Sequence, residues 1–260
     1  MTLDLPPKIP DLWLPAKPAI IRAHKGDLDA LRALEREKGI RAVLPGMFPL
    51  QVGGAPLSYP VVASVATAAP SNTTVMSVGA PSGTVTGDML IVIVACSGGG
   101  GAANPSTPAG WTKLFGISWA SSVSYNAFYR ISSGASAFSA NSGNACEAGI
   151  VALRITGHTV TPEASAGMSG ASASPAFNTL TPSNIGAVGV LWLACYMLRD
   201  NTPLTNPPTD YSVAGSVTHS HASNNLQNRI FSRAYYTSSE TPSTLSSDND
   251  TWRTGVIAVR

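Results

Sequence analysis

The chain has 260 residues, a formal net charge of +2, and only 12% charged residues. This length allows one large domain or two small ones, each long enough to bury a core. A net charge so close to zero excludes strong electrostatic attraction to nucleic acid or to an anionic membrane. Three cysteines are too few for a disulfide scaffold. The N-terminus has no basic segment followed by an apolar one. We therefore expect no signal peptide, no membrane insertion, and synthesis in a reducing cytoplasm.

Charge and proline divide the chain into two parts. Residues 1–41 hold 8 of the 16 Lys and Arg and 6 of the 14 Asp and Glu. Ten of the 20 prolines come before residue 71, whereas the remaining sequence is rich in Ser, Thr, Gly and Val. The sequence therefore predicts an extended N-terminal arm, residues 1–60, followed by a body, residues 61–260.

The arm contains one predicted helix, at about residues 27–38. Its leucines recur at helical spacing, and Gly39 ends the pattern. Three helical turns are marginal alone in water, and the apolar, proline-containing segments on both sides also need a covering surface. We expect that surface on another protein subunit; packing on the chain's own body is the alternative. The predicted contact residues are Trp13, Ile20, Ile21, Leu28, Leu31, Leu34, Leu44, Met47 and Phe48.

The body begins with an apolar run, Met89 to Cys96, between a Gly-Asp pair and four glycines. Eight residues are too few to cross a bilayer, which takes about 20. The glycines do not form a phosphate-binding motif, because no GxxxxGK[ST] or GxGxxG turn leads into a helix. The run therefore predicts a buried β-strand, and Val188 to Cys195 resembles it further along the chain.

Other segments of the body also recur. Residues 129–154 align with 235–260 without a gap, and PAGWTKL (108–114) aligns more weakly with PPTDYSV (207–213). These matches indicate two pseudo-repeats, at about 75–156 and 178–260. Regular turn signals without helical periodicity favour a mainly β fold, an antiparallel β-sandwich of jelly-roll-like architecture. Two small sandwiches in tandem are the alternative.

Catalytic patterns are weak in the body. Its few carboxylates do not form the pair that glycoside hydrolysis needs, and Asp88 is typical of a turn residue before a strand. No GxSxG motif supports a serine nucleophile, and His158 lies in a linker-like segment. We expect no enzyme activity, no catalytic residues and no cofactor.

A His-x-His pair, His219 and His221, is the one candidate metal site. On a strand both imidazoles project from one face, and in a three-fold assembly six nitrogens would meet on the axis. The flanking Ser, Thr, Ala and Asn are equally typical of an exposed strand end, and no third ligand is evident. Metal ligands and surface histidines both remain open.

Cysteines and aromatic residues also have two interpretations. Cys96 and Cys195 end corresponding predicted strands, and buried free thiols or a later disulfide would both fit. Four aromatic residues of the body are candidates either for the core or for a face that stacks on sugar rings. They are Trp111, Trp119, Tyr125 and Tyr129.

The body contains, in chain order, the strings PSG, GDMLIVIVA, PAGWTKL, FYR and ALRITG. Over about Pro81 to Arg260, this series resembles β-sandwich modules found in structural proteins of tailed phages and in bacterial surface proteins. In the second half PPTDY departs from the Trp-Thr motif, so a site built on that Trp would not be duplicated. The arm strings LWLPAKPAIIRA and LPGMFP are similar to N-terminal segments of virion proteins from phages of alphaproteobacteria.

The resemblance implies a virion protein made in the host cytoplasm. It would be a decoration or fibre-like component of head, neck or tail, bound to other virion proteins through residues 1–60. Edge strands with almost no lysine to guard them also predict self-association, most simply as a trimer. The alternative function is a carbohydrate-binding receptor module of a tail fibre or tail tip, with a host-surface glycan as its partner.

Overall fold

The computed structural model describes residues 58–98, 104–119, 123–135, 137–165, 167–183, 189–199, 206–220, 225–247 and 250–260. Apart from residues 58–60, the predicted arm lies outside the described residues, and so do its helix and its nine contact residues. The described residues belong to the unit Ser58–Arg260.

Twelve β-strands and no helix make up the described part of the chain, which confirms the mainly β prediction. The first six strands form one sheet and the last six form another, and every strand pairing is antiparallel. The first sheet contains β1 (Val61–Ala68), β2 (Thr73–Val78), β3 (Met89–Ser97), β4 (Thr112–Trp119), β5 (Val123–Ile131) and β6 (Phe138–Thr156). The second contains β7 (Glu163–Ala164), β8 (Met168–Ser172), β9 (Leu191–Arg199), β10 (Ser212–His219), β11 (Leu226–Ala234) and β12 (Asp250–Val259).

Both sheets have the same strand order. The first runs β1-β6-β3-β5-β4, with β2 also paired to β6. The second runs β7-β12-β9-β11-β10, with β8 also paired to β12. The first sheet strand of the second half is therefore Glu163–Ala164, upstream of the position 178 predicted from sequence. The segment 157–180 contributes β7 and β8, the counterparts of β1 and β2.

The two sheets pack face to face as a sandwich, but the strand order is not that of a jelly roll. A jelly roll alternates successive strands between its sheets, whereas here each sheet is formed by one continuous half of the chain. The jelly-roll part of the prediction is therefore wrong for the described strands. Turn spacing alone predicts the number of strands but not the sheet that each strand joins, because sheet membership depends on long-range pairing.

Strand β3 shows why an unbroken apolar run forms a central strand here. All nine of its residues are buried. Met89, Ile91 and Ile93 point into the core between the sheets, whereas Leu90 and Val92 point to the outer face. Because the chain's own segments cover that outer face too, neither side of the strand needs polar residues.

Three apolar clusters make up the core. The central cluster lies between the sheets, with residues such as Ile93 from β3 and Leu193 from β9. A second covers the outer face of the first sheet, where Trp111 and Phe138 pack with rings at 88° and centroids 5.1 Å apart. A third covers the outer face of the second sheet and includes Phe177. Both sheets are thus covered on both faces by the chain itself.

The turns that precede β4 and β10 show which residues correspond in the two halves. The Trp111 amide donates to the Pro108 carbonyl at 3.1 Å, and the Tyr211 amide donates to the Pro208 carbonyl at 3.0 Å. The residue before each aromatic has positive φ, 76° at Gly110 and 65° at Asp210. A register shift follows each turn, after Lys113 in β4 and after Val213 in β10. Trp111 therefore corresponds to Tyr211, and the sequence alignment of 108–114 on 207–213 is out of register by one residue.

The gapless alignment of 129–154 on 235–260 is also out of register. Phe128 pairs with Lys113, and Phe231 pairs with Val213, so FYR (128–130) corresponds to FSR (231–233). Because the two halves are built from the same few residue types, several offsets give similar numbers of matches in sequence. The pairing register of the strands identifies the correct offset. The same correction applies to the cysteines, because Cys96 faces the outer cluster and Cys195 faces the central one.

Candidate functional site

One end of the sandwich brings together the last residues of β3 and β9 and the hairpins β4–β5 and β10–β11. Ser97, at the end of β3, pairs with Glu147 of β6. His219, at the end of β10, pairs with Leu226, which pairs with Arg199 at the end of β9. Glu147 and His219 are in contact, so these strand ends of both sheets lie at one end of the sandwich.

The contact between Glu147 and His219 is polar and buried. Oε2 of Glu147 lies 2.8 Å from Nε2 of His219, and the two side chains are 14% and 7% exposed. Nδ1 of His219 is buried and has no hydrogen-bond partner in the described part of the chain. The surface interpretation of His219 is wrong, because this strand end packs against the opposite sheet. His221 lies outside the described residues.

This pair does not by itself make a metal site or a catalytic triad. Among the described residues there is no group of three His, Cys, Asp or Glu side chains placed to hold a metal ion. A triad needs a nucleophile hydrogen-bonded to the imidazole. Since Nδ1 of His219 has no described partner, no nucleophile of the described residues is activated through it.

Asp88 of the Gly-Asp motif before β3 stabilises a turn at the end of the sandwich opposite to Glu147 and His219. Oδ2 of Asp88 accepts from the Val85 amide at 2.8 Å and from Nε of Arg154 at 2.7 Å. Burial by itself raises the pKa of Asp88, but these two donors, with Arg154 and His158 as nearby positive groups, hold that pKa below its usual value. The sequence interpretation of Asp88 as a turn residue is consistent with these bonds, and the contact with Arg154 adds a link to β6.

The PAGW and FYR motifs also have structural roles. The guanidinium of Arg130 lies 4.9 Å from the ring centroid of Trp111. In the second half the corresponding Arg233 lies 3.5 Å from Glu240, whose carboxylate accepts from the Tyr211 hydroxyl at 3.2 Å. Burial and the nearby Glu240 carboxylate raise the pKa of Tyr211. The PAGW and FYR motifs therefore contact each other in the first half, and Tyr211, Glu240 and Arg233 are in contact at the corresponding place in the second half.

Most of the aromatic residues suggested for sugar stacking are covered. Tyr125 is fully buried, and Trp111 is only 7% exposed. Tyr129 is half-buried against the central cluster. For Trp119 the strand position is described but the side chain is not. Ring stacking on a sugar needs an exposed ring face, which Trp111 and Tyr125 do not offer.

A buried amide links the two sheets, and sequence analysis did not single it out. Asn228 of β11 donates from Nδ2 to the carbonyls of Ile93 (3.0 Å) and Gly149 (2.9 Å) and accepts from the Tyr125 hydroxyl (3.2 Å). The only signal that the sequence offers is that Asn228 is one of three consecutive polar residues within the strand LQNRIF. Arg253 of β12 is buried as well, and burial lowers its pKa to about 10.

The three cysteines are free thiols and all are buried. Cys195 lies in the central cluster, where burial raises its pKa. Cys96 and Cys146 share the outer cluster of the first sheet with Met76, whose Sδ accepts from Sγ of Cys96 at 3.2 Å. The structure therefore brings three sulfur atoms together that are 20 and 50 residues apart along the chain.

Comparison with family models, with curated proteins and with solved structures found no match for this chain. Within the described residues, no helix is long and apolar enough to span a membrane.

Proposed function

We propose that this chain is a structural protein of a tailed-phage virion, a decoration or fibre-like component of head, neck or tail. The arm, residues 1–60, attaches it to other virion proteins, and the β-sandwich is exposed. The observation that carries the proposal is the use of the motif residues. The residues that resemble phage sandwich modules hold the framework together, as Asp88 does with Arg154 and Trp111 with Arg130.

The body has the properties of a displayed module. Each sheet has its own outer apolar cluster, so the chain itself covers both outer faces. The two halves have the same strand order and use different side chains at corresponding turns, which is what an internal duplication would produce. Attachment is therefore the role of the arm. Its first 41 residues hold half of the lysines and arginines of the chain, which are available for contacts with other proteins.

Self-association is part of the proposal, and exposed apolar residues on two edge strands support it. Val61 and Val65 are 51% and 37% exposed on β1, and Val213 is 55% exposed on β10. Strands β1 and β10 are each at the edge of their sheet and are neighbours in the sandwich. Unguarded edges of this kind pair with further copies of the chain, and a closed trimer would cover them.

Virion incorporation tests the arm. Leu31→Ser with Leu34→Ser removes the predicted apolar stripe, and Arg32→Ser with Arg36→Ser is the matched control on other faces of the helix. We expect the leucine variant to be absent from purified particles, while its circular dichroism spectrum and oligomeric mass in isolation match those of the control. Incorporation at the wild-type level would contradict attachment through this helix.

The same particles separate the two candidate functions. Particles that lack a decoration protein assemble and adsorb to host cells, with reduced physical stability. Particles that lack a receptor module assemble and keep their stability but no longer adsorb. The second outcome would favour the carbohydrate-binding alternative over the structural role.

A further inference from the structure

Three sulfur-bearing side chains meet on the outer face of the first sheet. Cys96 lies on β3, Cys146 on β6 and Met76 on β2, which are successive neighbours in the sheet. Cys96 is paired with Ala148, two residues from Cys146, so both cysteine side chains project from the same face. All three residues belong to the outer cluster and are 0–3% exposed.

The sulfur atoms are within contact distance. Sγ of Cys96 donates to Sδ of Met76 at 3.2 Å. Cys146 lies beside Cys96 in this cluster, and its interaction with Cys96 lowers the pKa of Cys146, whereas burial raises the pKa of Cys96.

Thiolate and thioether sulfur are soft ligands that favour Cu(I), Zn²⁺ and Fe–S clusters. Zn²⁺ is almost always four-coordinate, whereas this cluster offers three sulfur atoms, which suits Cu(I) better. The cluster offers two thiols and a thioether, with the hydroxyl groups of Ser124 and Ser142 beside the cysteines. These are too few oxygen ligands for a hard cation such as Mg²⁺ or Ca²⁺, which takes six or more ligands, mostly oxygen. We propose that Met76, Cys96 and Cys146 form a binding site for one soft monovalent cation, Cu(I).

A disulfide between Cys96 and Cys146 fits the backbone less well. Their positions are diagonal across the β3–β6 pair, and diagonal neighbours have Cα atoms about 7–8 Å apart. A disulfide needs Cα atoms within about 7 Å. A metal ion bridges the wider gap, since metal–sulfur bonds of about 2.3 Å in a trigonal arrangement hold sulfur atoms about 4 Å apart. The Met76–Cys96 contact would lengthen by less than 1 Å.

The proton balance suits a buried site. Cu⁺ replaces the proton of the Cys146 thiol, so one proton is released and the net charge of the cluster does not change. An unchanged net charge is favourable because burying an uncompensated charge in an apolar cluster strongly raises the free energy of the folded state. The affinity should therefore rise about tenfold per pH unit below the pKa of the Cys146 thiol.

An access route lies next to Cys146. Thr73 of β2 pairs with Cys146, and Val75 pairs with Asn141, so residues 142–145 of β6 bulge out of the ladder. Gly143 in this bulge has a positive φ of 76° and is exposed. Opening the bulge exposes the Cys146 sulfur without separating β3 from β6.

The test is titration of the full, reduced protein with Ag(I), a redox-stable probe for the site, and with Cu(I) held by a chromogenic chelator. We expect one ion bound per chain, a rise in melting temperature with ion concentration, and release of one proton per ion. Cys96→Ser and Cys146→Ser should each abolish stoichiometric competition with the chelator. Met76→Leu, which keeps the volume, should weaken binding by about tenfold.

Cys195→Ser is the matched control, because Cys195 is equally buried but lies in the central cluster and not in the outer cluster that holds Met76, Cys96 and Cys146. This variant should bind one ion with wild-type affinity. Should a cysteine variant of the cluster fail to fold, the comparison of Met76→Leu with Cys195→Ser decides the question. Binding that survives Cys96→Ser and Cys146→Ser, or that is lost in Cys195→Ser, would overturn the proposal, as would the absence of stoichiometric binding to the wild type.

Discussion

The two halves of the body share one strand order but differ in the side chains at corresponding positions. Trp111 in the first half is replaced by Tyr211 in the second, with both rings buried at the start of a bulged strand. The arginines above them find different partners: Arg130 lies over the Trp111 ring, whereas Arg233 contacts Glu240 and Asp210.

The difference follows from the hydroxyl group of tyrosine. A buried phenol needs a hydrogen-bond partner, and Glu240 supplies it at 3.2 Å. The carboxylate then needs a positive charge, which Arg233 supplies. One substitution of an aromatic residue thus requires a small polar network, while the turn and the bulge stay the same. Backbone topology is conserved between the halves because it depends on burial pattern, and side-chain chemistry is free to differ.

Removing the paired aromatic residues should have the largest effect on this comparison. Trp111→Ala removes a buried ring that packs on Phe138, and we expect a loss of about 4 kcal/mol in the free energy of unfolding. Tyr211→Ala should cost a similar amount, because it also leaves the Glu240 carboxylate without its donor. Urea unfolding of the full chain measures both. A loss below about 1 kcal/mol at either position would contradict the proposed equivalence of the two turns.

Each half also has an ion pair at the far end of the sandwich, and the two pairs differ in how exposed their carboxylates are. Asp88→Asn removes a carboxylate that accepts from Val85 and Arg154, and we expect a loss of about 2 kcal/mol at neutral pH. In the second half Glu163 pairs with Arg260 but is 29% exposed, so Glu163→Gln should cost about 0.5 kcal/mol. Thermal unfolding of both variants beside the wild type gives the difference.

The contribution of Asp88 to the free energy of unfolding depends on pH, and the direction of that dependence follows from its pKa. Because the pKa of Asp88 is lower in the folded state than its ordinary value of 3.8, its contribution is present above that value and is lost as the pH falls through the folded pKa. The wild type should therefore lose more stability below about pH 4 than Asp88→Asn does. If the stability of the two proteins falls with pH by the same amount, Asp88 does not make this pH-dependent contribution.

The turn residues with positive φ should give the smallest effects. Gly110→Ala places a side chain at φ 76°, and we expect a loss of about 1 kcal/mol. Asp210→Gly at φ 65° relieves the same strain and loses only a solvent-exposed contact with Arg233, so we expect a change between zero and a gain of about 0.5 kcal/mol. A stability loss for Gly110→Ala and no loss for Asp210→Gly, both measured by urea unfolding, would show that the same turn conformation is formed by Gly110 in one half and Asp210 in the other.

Much of the architecture was predictable from local sequence. The apolar run from Met89 to Cys96 predicts a buried central strand because it is β-branched, short and bounded by turn residues, and the structure confirms this strand. The role of Asp88 was predictable for the same reason, since it depends on a neighbouring amide three residues away. The mainly β character and the absence of helix in the described part follow from spacing and composition alone.

The remaining features depend on contacts between residues that are distant in the chain, so they became visible only in the folded structure. The register that matches Trp111 with Tyr211, the opposite faces of Cys96 and Cys195, and the contact of His219 with Glu147 all have this origin. A shift of one residue reverses the face of every side chain in a strand, and local sequence does not determine that shift. The sulfur cluster, the buried Asn228 bridge and the assignment of each half to its own sheet therefore had no signature in the sequence beyond single residues.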